Sequence, residues 1–294
     1  MQEHVVENGN ERIDVYLSKL LDVSRSKINK LNIKVNGKEV KNSYIVKEKD
    51  VIEIPLLKEE QIKAEPEKMD LDIVYEDDDV IVVNKENGIV VHPAIGNTKH
   101  TLVNGLLYHS KELSKNNGEF RPGIVHRIDA YTTGLLMIAK NDKAHDFLAK
   151  QLSEKTTHRK YIALVWGVIN NDTGTIDAPI GRDINDRKKM SVTASGKEAI
   201  THFKVLKRYK NATLIELKLE TGRTHQIRVH MNYIGHPVVN DPVYGKRKLI
   251  DNTGQCLHAK ELGFIHPKTK KYMEFSCELP ECFTNILNKF EEES

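Results

Sequence analysis

From residue 72 to residue 290 the chain is a succession of short β-branched and aliphatic runs broken by polar turns, with helical spacing confined to a few segments between them. No other feature restricts the possible folds as far. "DIVYEDDDVIVVNKENGIVVHP" holds two apolar β-branched stretches separated by Asn87-Gly88, a strand and turn signature. Further strands are expected in "KYIALVWGVI", "ITHFKVLKRYKNATLIELKLE", "HPVVN" and "KYMEFSCEL", and helices in "TLVNGLLYHS" and "NDKAHDFLAKQLSEK". Many strands with interspersed helices, and neither heptads nor an internal repeat, predict an α+β domain on a mixed, largely antiparallel sheet.

Upstream the composition changes twice. Residues 57–71 are charged, contain Pro66 and lack sustained apolar periodicity, which predicts a linker. Residues 11–56 read as a small separate α/β module ahead of the large domain at 72–290. Ile13, Tyr16, Leu17, Leu20 and Leu21 have helical spacing, and Ser24 is positioned to cap a second helix in "SRSKINKL". Asn36-Gly37 in "VNGKEV" is a two-residue hairpin signal. Between Ser24 and Lys49 a run of bases that includes Arg25, Lys27, Lys30 and Lys38 meets only Glu39 and Glu48. With 45 Lys and Arg against 42 Asp and Glu the whole chain is close to neutral, so this local excess is what speaks for an anionic partner. Charge alone would equally suit a solvated face.

Cys256, Cys277 and Cys282 are odd in number and form no CxxC pair, so neither a disulfide framework nor a cysteine zinc site is predicted. A reducing cytoplasm suits such a chain. The first residues carry acids and no apolar segment, and no run of 18 apolar residues occurs, which points to a soluble protein that is not exported. Neither GxxxxGK[ST] nor GxGxxG is present, so no nucleotide cofactor is expected.

Chemistry concentrates in four segments. In "GIVHRIDAYTTGLLMIAK", Gly123 to Lys140, apolar flanks that read as strands enclose His126, Arg127 and Asp129. A carboxylate at a strand end must be solvated, paired or functional, because an unpaired buried charge is costly. Taken alone, the segment fits a turn aspartate paired with Arg127. The second segment, "LETGRTHQIRVHMNYIGHPVVNDPVYG", packs Arg223, His225, Arg228, His230 and His236 around a short helix that Thr221 or Thr224 would cap and Gly235 would end. Its histidine spacing is not HExxH and no cysteine or acid completes a ligand set, so zinc is not predicted. Arg228 fits better as the counter-charge that holds a carboxylate ionised and oriented, with Asp129 the obvious partner.

The third segment, "HRKYIALVWG", puts Lys160 and Tyr161 at the start of a strand. The tyrosine is either an ordinary half-buried aromatic or a surface on which an extracted base stacks. The fourth, "IGRDINDRKKMSV", gathers Arg182, Arg187, Lys188 and Lys189 in an expected loop, either solvated or in contact with phosphates.

Together these motifs resemble the RluA/RluD-type family of ribosomal-RNA and transfer-RNA pseudouridine synthases, in the branch that includes the large-subunit enzyme modifying several uridines of one stem-loop. "HRID…TTGL", "KYIALVWG" and "GRTHQIRVHM" follow in the family's order and approximate spacing, and the resemblance covers nearly the whole chain. "SRSKINKL" and "VNGK" resemble the alpha-L type RNA-binding module of a small-subunit ribosomal protein. The resemblance implies the pseudouridine synthase fold and a catalytic aspartate at Asp129. It implies a base-stacking tyrosine at Tyr161, one that could also abstract a proton, and a basic partner for the aspartate at Arg228, with Ile227 lining the pocket. Arg127 would help occupy the space left by a flipped uridine. His126, Lys160, Arg187, Lys188, Arg223 and His225 are the further substrate contacts expected, and Arg25, Lys27, Lys30 and Lys38 those of the RNA-binding module.

Such an enzyme breaks the bond from ribose to N1 of uridine, turns the uracil and rejoins it through C5, with no cofactor, metal or redox change. The nucleotide is flipped out, and the carboxylate serves either for covalent attack or for removing the 2′ proton to give a glycal-like intermediate. Three departures from the family stand out. Ala130-Tyr131 follow the aspartate where relatives often carry a basic and then an acidic residue, and Glu86-Asn87 stand where relatives often have Pro-Ala. Only "NIK" separates helix and strand in the small module, which usually has a few more residues including a glycine. The expected partner is RNA, first large-subunit ribosomal RNA or a ribosome precursor and second transfer RNA, bound by a monomer. Two other classes compete. A non-catalytic ribosome-assembly protein has no need of Asp129, Tyr161 and Arg228 together, and a glycosidase normally uses two carboxylates where these motifs hold one.

Overall fold

The computed structural model of the chain describes residues 2–292 apart from 22, 24, 30, 56–62, 95, 119–120, 187–188, 246 and 248. It divides into two compact units, Met1–Gln61 and Ile62–Ser294. The first holds β1 (Gln2–Val5), α1 (Ile13–Leu20), α2 (Arg25–Ile28), β2 (Lys34–Val35), β3 (Lys38–Glu39) and β4 (Val51–Ile54), its strands antiparallel in the order β1-β4-β2-β3. Ile13 and Leu17 of α1 meet Ile28, Ile33, Val46 and Ile52 in one small core. Asn36 and Gly37 have φ of 52° and 78°, the left-handed pair that a two-residue turn between twisted strands requires. β1 pairs with β4 from Gln2↔Ile54 to Val5↔Val51, so this unit starts well ahead of residue 11.

α2 is four residues long, shorter than the helix its motif suggests. Ser24, Lys30 and the side chain of Lys27 lie outside the described residues. Arg25 is partly drawn inward: its Nη2 lies 2.6 Å from Asp14 Oδ2, with Arg12 Nε 3.0 Å from the other carboxylate oxygen. Burial alone would raise the Asp14 pKa, but the two guanidinium groups outweigh it and lower it. Lys38, at the hairpin tip, is exposed.

The second unit runs through β5 (Ile73–Glu76), β6 (Val80–Lys85), α3 (Leu102–His109), β7 (Thr133–Ala139), α4 (Asp142–Ser153), β8 (His158–Trp166), β9 (Thr173–Asp177), β10 (Ile180–Arg182), β11 (Met190–Val192), β12 (Ile200–Arg208), β13 (Ala212–Leu219), α5 (Gln226–Tyr233), β14 (Leu257–Ile265), β15 (Tyr272–Ser276) and α6 (Glu281–Glu292). Its main sheet has the order β5-β6-β7-β14-β8-β13-β12-β9, with β15 attached to β14. Within it only β7 and β14 pair in parallel, among the described residues, so the sheet is mixed and largely antiparallel as the sequence predicts.

Both faces of the sheet are covered, which explains why β6 and β7 read as unbroken apolar runs. Ile81, Val83, Leu136 and Ile138 share one core with Leu106 of α3 and Ile227 of α5. Val80, Val82, Leu135 and Met137 pack with Leu148 of α4 on the other side. Further along that side, Phe283 and Ile286 of α6 cover Ile162 and Leu164. No described helix is long and apolar enough to cross a membrane.

Several segments of the second unit differ from the sequence reading. The apolar stretch after Asn87-Gly88 is not a strand: the carbonyls of Val90 and Val91 accept the first amides of α3, which Thr101 and Asn104 close with a capping box. "HPVVN" contributes only the bridge Val165↔Val238. Much of the expected linker is packed: Ala64 is buried and Asn104 Nδ2 donates to the Glu65 carbonyl, so the second unit begins before Asp72. β14, absent from the sequence reading, occupies the middle of the sheet.

Candidate active site

Strand alternation on β8 decides which of its side chains reach the site. Arg159 and Tyr161 project to one face, both buried, and Lys160 to the other. Lys160 Nζ lies 2.9 Å from Glu261 Oε2 on β14 and 3.4 Å from Glu216 Oε2 on β13. The expected substrate contact at Lys160 is therefore corrected: neighbouring strands neutralise this lysine on the far face of the sheet. Arg159, which the sequence reading passed over, is the neighbour of Tyr161 that lines the cleft.

The face bearing Arg159 and Tyr161 forms one wall of a cleft of about 400 Å³. The segment ahead of β7 and the start of α5 complete it, bringing in Asp129, Arg127, Ile227 and Arg228. Asp129 sits in a turn whose carbonyl accepts from Thr132 N at 3.0 Å. The next residue is pinned from below: Lys85 Nζ donates to the carbonyls of Ala130 and Glu86, each at 2.8 Å. Lys85 is 2 % exposed, and burial pushes its pKa down to about 7 against the opposing pull of Asp129. Two of the departures from the family pattern thus surround one buried lysine.

α5 begins differently from the expected threonine cap. His225 is the N-cap residue, in left-handed backbone geometry with φ of 57°, and Thr221 instead donates to Gln226 Oε1, which also accepts from Arg223 N. Gly235, with φ of 85°, follows the helix as expected. The first turn aims Arg228 at the cleft. Its Nη1 donates to Asp129 Oδ2 at 2.8 Å, while Nε and Nη2 form a fork on Asp241 at 2.7 and 2.9 Å. Asp241, 1 % exposed, also accepts from the amides of Val243 and Tyr244. Burial would lower the Arg228 pKa, yet Asp241 and then Asp129 hold it raised, so the guanidinium is a fixed charge.

Around this pair the polar groups interlock. His225 Nδ1 lies 2.8 Å from the Tyr244 hydroxyl and its Nε2 3.7 Å from Asp129 Oδ1. The same hydroxyl accepts from Met190 N, tying β11 to the site. Burial lowers the His225 pKa, with smaller opposing effects from the charges around it. His126 accepts from Met137 N through Nε2, and burial followed by the Arg159 charge pushes its pKa to about 3, so it is a neutral support for β7. Burial raises the pKa of Tyr161. Arg127 is exposed at the cleft, and Arg223 lines it with Nε donating to the Glu198 carbonyl.

His230 and His236 have separate partners, Thr201 and Ala178 for the first and the Trp166 carbonyl for the second. They share no ligand-binding point with His225. Arg187 and Lys188 lie outside the described residues. Beyond the expected residues the site contains Arg159, Lys85, Asp241 and Tyr244. Arg159 had a readable signal, being two places before Tyr161 on a strand of period two.

The family model for RNA pseudouridylate synthase matches residues 79–233. The uncharacterized RNA pseudouridine synthase YlyB of Bacillus subtilis is 53% identical over 286 residues, covering 96% of this chain and 94% of the relative. Ribosomal large subunit pseudouridine synthase D of Zymomonas mobilis is 49% identical over 228 residues, or 74% of this chain and 72% of the relative. Among solved structures, human RNA pseudouridylate synthase domain containing 1 aligns with a TM-score of 0.59 at 26% identity, covering 76% of this chain and 95% of that one.

Proposed function

Because the chain belongs to the RNA pseudouridine synthase family and isomerises uridine in RNA to pseudouridine, we propose that its substrate is large-subunit ribosomal RNA and that Asp129 is its catalytic carboxylate. The observation that carries this reading is the buried Arg228 guanidinium, held by Asp241 and offering its remaining edge to Asp129 in the cleft. The name of the Zymomonas relative favours the large-subunit RNA.

A uridine must leave its stack to react. Tyr161, a buried phenol whose pKa burial raises, suits stacking the base better than accepting its proton. Ile227 supplies apolar lining, Arg127 fills the gap left in the RNA, and Arg223 and His225 border the nucleotide. The bond between C1′ and N1 breaks with its electron pair on N1, and the turned base rejoins through C5. Asp129 serves this either by attacking C1′ or by removing the 2′ proton, and both roles use its anion. Lys38 and the exposed half of Arg25 bind RNA phosphates from the first unit. The enzyme works as a cytoplasmic monomer on this reading.

Release of tritium from RNA labelled at C5 of uridine tests both assignments. The native protein should release it from large-subunit ribosomal RNA, and Asp129→Asn should bind that RNA without releasing any. Release from transfer RNA alone would overturn the substrate, and release by Asp129→Asn the role of the carboxylate.

A further inference from the structure

Arg159 is a charge in the cleft that the reaction above leaves unused. It is 7 % exposed and its Nε is wholly buried without an acceptor. Its guanidinium forms no hydrogen bond or ion pair with any described residue. A guanidinium stays protonated in proteins, and burying one unpaired costs free energy that no structural contact here offsets. Arg228, in the same cleft, uses Nε and both terminal nitrogens.

Position narrows what Arg159 awaits. It stands two residues from Tyr161 on the same face of β8, roughly 6–7 Å along the strand, the reach from the centre of a stacked pyrimidine to an atom just beyond its edge. Phosphates of an entering strand remain at the mouth, where Arg127 is exposed, whereas the base travels to the wall that Arg159 shares with Tyr161. Gly222 makes room for the guanidinium, since a Cβ there would lie 3.0 Å from Nη1.

Resting on the reading of the cleft as a uridine site, we propose that Arg159 is a catalytic residue that donates to a carbonyl oxygen of the uracil and stabilises the charge the base acquires on release. As the C1′–N1 bond breaks, its electron pair passes to N1 and is shared with O2 and O4. Rejoining through C5 uses that pair for the new bond, and the proton lost from C5 is matched by one gained at N1. A donor already fixed in a water-poor site interacts most strongly where charge develops.

Single-turnover tritium release from C5-labelled ribosomal RNA at saturating protein tests the proposal, with Arg159→Met and Arg159→Lys beside the native protein. In Arg159→Met the rate constant should fall about a hundredfold or more, with RNA affinity and its salt dependence unchanged, and Arg159→Lys should recover part of the rate. The thermal midpoint of Arg159→Met should match or exceed the native value, because an unpaired buried charge has been replaced by an apolar side chain. Weakened affinity with a shallower salt dependence and a native rate at saturation would make Arg159 a phosphate contact and overturn the proposal. A destabilised or unfolded Arg159→Met would overturn it by revealing a structural role. Normal release by both proteins would sink this proposal alone, whereas no release by the native protein would sink the isomerase reading with it.

Discussion

Asp129 and Asp241 share one arginine but not one burden, and substituting each by asparagine should separate them. Arg228 is almost fully enclosed, its side chain 5 % exposed, and that of Asp241 is 0 % exposed. Removing one partner of such a pair typically costs about 3–5 kcal/mol, because the other charge is left buried. Asp241→Asn keeps an oxygen for the Val243 and Tyr244 amides but ends the fork, so the lower end, about 3 kcal/mol, is expected. Asp129→Asn leaves the fork intact and removes one hydrogen bond from a group facing the cleft, about 1 kcal/mol or less. The assay is urea unfolding followed through Trp166, the sole tryptophan, which packs on Phe290 and reports the second unit without the first. Asp129→Asn should lose tritium release entirely with near-native stability. Equal stability for Asp241→Asn and the native protein, or a greater loss for Asp129→Asn, would refute the division of roles.

Lys160→Ala should leave the rate at saturating RNA unchanged and cost at most about 1 kcal/mol of stability, since its partners lie on the far face of the sheet. Replacement of Lys38 by alanine should weaken RNA binding and make the slope of log affinity against log salt shallower by about one, read by filter binding. Lys85 gives a pH signature. Its pKa falls from 10.5 in the unfolded chain to about 7 in the fold, so between those values the unfolded state holds the extra proton and stability rises with pH. Unfolding midpoints of the native protein should therefore climb relative to those of Lys85→Met between pH 7 and pH 10, and parallel curves would count against a buried, depressed lysine.

The Asp129–Arg228 pair was legible because charged residues in apolar surroundings restrict one another: each needs a counter-charge, and the motifs offered few. The face of β8 was legible too, but reading the motif residue by residue put Lys160 beside Tyr161 where strand alternation puts Arg159. Other parts were hidden for physical reasons. β14 carries Lys260 at a register break between Ala259 and Glu261, so the period-two signal fails in a strand that is central to the sheet. Lys85 lies in "NKENG", a composition that reads as an exposed turn, and nothing local reveals that its ammonium closes on two carbonyls. Asp241 in "NDPVYG" does bind turn amides, as an aspartate before proline suggests, while its grip on Arg228 depends on a helix 13 residues earlier. The N-terminal strand β1 was missed because its pairing with β4 joins residues some 50 apart.

The order of the central sheet sets a timetable for making the enzyme. Asp129 precedes β7, while Arg159, Tyr161 and Arg228 belong to β8 and to the helix that follows it in the chain, and β14 is the strand inserted between those two wings. Residues 257–265 leave the ribosome after all four of those side chains. Until they do, the halves that carry the carboxylate and its arginine have no shared sheet to bring them together. A nascent chain that lacks this strand is expected to form each wing without completing the cleft, so activity should arrive only with the closing of the sheet, after Asp129, Arg159, Tyr161 and Arg228 have all been made.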